Sequence, residues 1–149
     1  IGVPAEHVTT IDHDMELPTK EFNPEREFKG QKFVHNKAKD STWSDFRISG
    51  FKCRDTTIAD NTQNVAGVQV VRPNGNAIKP SKHDCDILFN FVMEGKMTLT
   101  ASGQPSNELT SGDAFVIPPN LLTEYSNLSE DLELLEVSLP GKFKTYYDA

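Results

Sequence analysis

From about residue 43 onward the chain is a series of short β-type runs cut at near-regular intervals by turn residues. Residues 66–72 (AGVQVVR) read as a strand, and residues 73–76 (PNGN) then turn. Asn and Gly tolerate the positive φ angles that tight turns require. Residues 87–93 form a second run, broken at Glu94-Gly95, and residues 96–100 return. Residues 102–105 (SGQP) turn again. A short strand over 113–117 stops at Pro118-Pro119, and a last one over 132–139 ends at Pro140-Gly141. Proline cannot donate to a strand ladder, so such pairs end strands. No stretch sustains helical periodicity. This pattern predicts an all-β sandwich or barrel and does not by itself choose between them.

The 149 residues suggest one domain with enough chain for a core. Fifteen Lys and Arg are scattered among 22 Asp and Glu, for a net charge of -7. That balance argues against a nucleic-acid partner, which needs a basic stripe. No apolar run approaches the ~18 residues that cross a bilayer, so no membrane partner is expected. No signal-peptide pattern opens the chain, and a cytoplasmic location is expected. Cys53 and Cys85 belong to no C-x-x-C pair and read as buried thiols. Residues 1–42 are polar and irregular, with Pro4, Pro18 and Pro24 and sparse aromatics. They read as an arm lying across the barrel or a partner subunit, with a disordered tail as the alternative. The expected division is therefore an arm (1–42), a barrel (43–140) and a C-terminal tail (141–149).

Two glycine-anchored stretches carry the rest of the reading. Residues 81–95 read SKHDCDILFNFVMEG, and residues 112–127 read GDAFVIPPNLLTEYSN. The spacing of Gly95, Gly112, Pro118 and Asn127 resembles the two motifs of the cupin family, H-x-H-x(3,4)-E-x6-G and G-x5-P-x-G-x2-H-x3-N. The segment GDAFVIPP is close to that family's GDxxxxPPG. His83, Cys85, Asp86, Phe89, Val92 and Gly95 match a subgroup's first motif, and the likeness spans roughly residues 43–140. The resemblance implies a single antiparallel cupin (jelly-roll) β-barrel.

It also implies a metal site, held by three imidazoles and one carboxylate. The positions that should supply them here are Ser81, His83, Leu88 and Thr123. One ligand of four remains, Asn120 stands in for a glycine, and Leu88 puts hydrocarbon where the carboxylate would point. Tight binding of a borderline divalent ion needs at least three such donors. The expectation is therefore no cofactor, with a divalent metal as the alternative.

Alternation and the family pattern place Ser81, His83, Leu88, Asn90 and Val92 on one face, with Thr123 and Tyr125 inward on the second motif. Ser81, His83, Leu88, Asn90, Thr123 and Tyr125 are the candidate pocket residues, suited to a small organic ligand or simply filling the barrel. No catalytic residue is assigned. A His83–Cys85 nucleophile pair is the one local catalytic arrangement the spacing allows. His7 and His13 read as solvated, and His35 has no evident partner.

The chain is thus expected to be a cupin-fold binding or structural protein. The alternatives are a metal-free epimerase-like enzyme, in which His83 and Tyr125 would do proton transfer, and a metal-dependent dioxygenase or decarboxylase with unorthodox ligands. Phe89, Phe91 and Met93 fall on the outer face and need cover, so a homodimer is expected.

Overall fold

The computed structural model describes residues 25–147. His7, His13 and the arm's first prolines lie outside them. The elements in chain order are β1 (Glu27–Phe28), β2 (Gln31–Lys32), β3 (Ser44–Asp45), β4 (Phe51–Asp55), α1 (Ile58–Asn61), β5 (Gly67–Pro73), β6 (Ser81–His83) and β7 (Ile87–Glu94). There follow β8 (Lys96–Ala101), β9 (Asn107–Thr110), β10 (Ala114–Val116), β11 (Thr123–Ser126), β12 (Glu133–Leu139) and β13 (Thr145–Tyr147).

Two antiparallel sheets make up the body, in the order β10-β7-β12-β5-β4-β3 and β13-β6-β11-β8-β9. The chain passes from one sheet to the other between β5 and β6, β6 and β7, β7 and β8, β9 and β10, β10 and β11, β11 and β12, and β12 and β13. This is the expected all-β jelly-roll architecture. Its edges at β9 and β10 do not pair with each other.

Gly95 makes the sheet-to-sheet crossing possible. Its φ is +78°, and an added Cβ would come within 2.7 Å of Leu132 Cα and 2.8 Å of its nitrogen. Only glycine supplies that conformation in that space.

Alternation assigns the inner faces. Along β7, Leu88, Asn90 and Val92 are buried; along β12, Leu134, Glu136 and Ser138 are. With Ile48, Phe51, Val71, Met97 and Leu132 the apolar members form the core, each worth about 1.5–3 kcal/mol of burial. The outward residues Phe89, Phe91 and Met93 are half-buried. Cross-strand pairing sets Phe89 beside Val137 and Val116, and Phe91 beside Leu135. Val116, at the sheet edge, is 58% exposed.

One boundary differs from expectation. Residues 141–149 were expected as a tail, yet β13 pairs with β6, with Thr145 opposite His83, and extends the five-stranded sheet. Tyr147 Oη donates to the Arg47 carbonyl at 2.6 Å and the Ser49 amide donates to Tyr147 Oη at 3.1 Å. These bonds lock the segment across the barrel end, where the turn signal at Pro140-Gly141 had suggested an exit. The described part of the arm lies across the chain's own barrel at Asn36, whose Oδ1 accepts from Arg54 at 3.3 Å and from Ser41 at 2.8 Å.

Candidate functional site

β6, β7 and β11 bring Ser81, His83, Leu88, Asn90, Thr123 and Tyr125 to the inner faces of the two sheets, and all six are buried. Thr123 pairs in register with Ser81, and its hydroxyl donates to the Ser81 carbonyl at 3.3 Å. Leu88 is fully buried among the core side chains. Asn120 has φ +64°, the left-handed conformation that explains a glycine at the equivalent family position, and its amide donates to the His83 carbonyl at 2.8 Å.

His83 is spoken for on both ring nitrogens. Nε2 lies 3.1 Å from the Ile117 carbonyl, an acceptor only, so it carries the proton. Nδ1 is then an acceptor, 3.1 Å from Cys85 Sγ. Burial first, and then the Arg47 charge, push the imidazole below its usual pKa, so it is neutral at pH 7. Cys85 is not activated by this pairing. Burial pushes its thiol up to about 11, the opposite of what a nucleophilic cysteine requires.

The sequence reading missed the strongest electrostatic feature of the interior. Arg47, in the loop between β3 and β4, forks onto Glu136 of β12: Nε donates to Oε1 at 3.0 Å and a terminal nitrogen donates to Oε2 at 2.6 Å. Their side chains are 16% and 5% exposed. Burial opposes the guanidinium charge, but the Glu136 carboxylate and its hydrogen bonds outweigh this and hold the Arg47 pKa above its ordinary value. The guanidinium stacks over Phe46 at 5.0 Å and Phe143 at 5.2 Å. Phe143 in turn meets the His83 ring edge-on at 5.8 Å. Tyr125 sits edge-on to Phe51 at 5.7 Å, and burial raises its phenol pKa well above normal. Glu136 is the register partner of Asn90, whose Nδ2 finds no hydrogen-bond partner among the described residues.

These residues do not fit the metal that the fold implies. Two neutral hydroxyls, one doubly hydrogen-bonded imidazole and a buried isobutyl group occupy the four ligand positions. Among the described residues, no three His, Cys, Asp or Glu side chains converge as a chelate.

The structure also places an open cavity elsewhere than around the six candidates. It has a volume of about 450 Å³ and lies in the seam between the unpaired edges β9 and β10. Its walls include Leu99, Leu109, Phe115, Ile117 and Leu121, and of the six candidates only Thr123 reaches it. Sequence reasoning missed it because residues 107–110 (NELT) carry no clear strand signal and follow a turn.

Among solved structures, KdgF from Halomonas sp. is similar to this chain, with a TM-score of 0.58 at 18% identity, covering 74% of this chain and 96% of that one. The polyketide cyclase RemF from Streptomyces resistomycificus gives 0.61 at 19% identity, covering 80% and 86%. Streptomyces PAC13 solved with uridine gives 0.61 at 13%, covering 77% and 90%. At these identities the likeness establishes the fold alone. No curated protein matches the sequence significantly. The family described as "Cupin domain" matches residues 67–138, the span from β5 through β12. With both motif frames in place on a jelly roll of two antiparallel sheets, residues 67–138 match the cupin domain and the chain has the cupin fold.

Proposed function

We propose that this cupin is a small-molecule-binding protein that works without a metal chelate and takes its ligand in the β9–β10 seam. The observation that carries the reading is the cavity of about 450 Å³, with Leu99, Leu109, Phe115, Ile117 and Leu121 on its walls and polar side chains among them, within the range usual for small organic ligands. Behind it, the interior where the family holds its metal is filled by the chain's own side chains, with Arg47 and Glu136 supplying a self-neutralising charge pair. Catalysis by His83 lacks support. His83 does not line the cavity, and its two ring nitrogens meet a carbonyl and a thiol.

We propose further that a second copy covers the outer face of β10-β7-β12, where Val116 and Ile87 are exposed beside half-buried Phe89 and Phe91. A two-fold axis would let the same apolar strip meet itself.

The binding reading is tested by methyl NMR with a library of fragments of mixed charge. Ligands should shift the Leu99, Leu109, Ile117 and Leu121 methyl signals together. If no fragment of any kind moves this set, the reading is wrong.

A further inference from the structure

The chemistry of the cavity walls narrows what can enter. Strand pairing fixes which side chains turn inward. Leu99 faces Tyr125 across β8–β11 and Asn107 across β8–β9; Ala101 faces Thr123; Leu109 faces Met97. On β10, Phe115 is the partner of the inward Asn90. The residues between them, Glu108, Ala114 and Val116, point outward by alternation and meet the cavity at its rim. The inward set is therefore Leu99, Ala101, Asn107, Leu109, Phe115 and Thr123, and none is charged. Among the described residues, no Lys, Arg or His lines the cavity.

Both lining carboxylates belong to the rim. That of Asp113 accepts from the Thr110 amide at 2.7 Å and holds the β9–β10 corner. An anion pushed past this rim would lose water and find no counter-ion, which is costly, whereas an ammonium group held at the rim has carboxylates to pair with. An anion would also be repelled by the rim itself.

The polar groups that remain are neutral. The Asn107 amide donates from Nδ2 to the Pro105 carbonyl at 3.1 Å, which fixes its orientation and leaves Oδ1 as an acceptor. The Thr123 hydroxyl proton is spent on the Ser81 carbonyl. With the exposed Gln104 amide, the cavity thus offers hydrocarbon on its inward walls and neutral polar groups, acceptor oxygens among them, near its mouth.

We infer that the seam cavity selects molecules with an apolar ring or chain and a hydroxyl-type donor directed at Asn107, and that it rejects carboxylates. This rests on the binding reading above and deepens it.

The test uses three probes of one shape in methyl NMR titrations at pH 7: benzyl alcohol, benzoate and toluene. Benzyl alcohol should bind at least about tenfold more tightly than benzoate. Asn107→Leu should weaken benzyl alcohol several-fold and leave toluene unchanged. Equal or tighter binding of benzoate would overturn the selectivity. An Asn107→Leu variant that binds benzyl alcohol as the parent does would overturn the role of Asn107. Silence from all three probes, with other fragments still shifting the cavity methyls, would also overturn the inference while leaving the binding reading intact. Silence from every fragment would instead remove the binding reading beneath it.

Discussion

Replacing Glu136 by Gln removes one charge from the barrel and almost no volume. The variant keeps a side-chain oxygen for Arg47 but leaves the guanidinium without a counter-charge in a site where it is 16% exposed. Breaking a buried ion pair from one side costs about 3–5 kcal/mol, mostly the desolvated charge left behind. Arg47 keeps some water and its stacking on Phe46 and Phe143, so the lower end, about 3 kcal/mol, is expected. For a domain of this size each kcal/mol moves Tm by about 2–4 °C, so the melting point should fall by about 6–12 °C. Urea unfolding followed by circular dichroism gives the free energy directly. The double variant Arg47→Met/Glu136→Leu removes both charges and should recover at least half of the loss. A Glu136→Gln loss below about 1 kcal/mol, or a double variant worse than the single one, would refute the claim that this pair is a desolvated, mutually dependent unit.

Three further outcomes follow from the geometry. Gly95→Ala should destabilise by several kcal/mol, because left-handed strain of about 1–2 kcal/mol adds to collision with the Leu132 backbone. Gly112→Ala, where nothing lies within 4 Å, should cost only the strain of about 1–2 kcal/mol, as read by urea denaturation. His83 is buried with a lowered pKa, so below its unfolded-state value the unfolded chain binds the proton that the folded chain refuses. Its contribution to stability is full above about pH 6.5 and is lost as pH falls from there toward the folded-state pKa. Melting curves from pH 7.5 to 5 should therefore slope less in His83→Gln, and an unchanged slope would refute this. Light scattering should give twice the chain mass at micromolar concentration, and Val116→Glu should shift it toward the monomer.

Much of the fold was legible because turn residues and a period of two are local signals. Gly95, Gly112 and Pro118 mark the corners, and alternation placed Leu88, Asn90 and Val92 inward correctly. What was hidden depends on contacts distant in sequence. In residues 134–139 (LLEVSL) the apolar face is that of Leu135, Val137 and Leu139, so local alternation points away from the finding that the face carrying Glu136 and Ser138 turns inward. Glu136 is tolerable there only because Arg47, 89 positions earlier, reaches it. The seam cavity likewise arises from two strand edges that fail to meet, which no pattern within either strand reports. β13 was missed because it follows a strong stop signal and pairs back on β6.

The most direct measurement is elemental analysis of the purified protein after saturation with iron, manganese, nickel and zinc in turn, followed by gel filtration in chelator-free buffer. The packed donor set of Ser81, His83, Leu88 and Thr123 predicts substoichiometric metal, unchanged in His83→Ala. One ion per chain, lost on that substitution, would contradict the account and return this cupin to the metal-dependent enzymes.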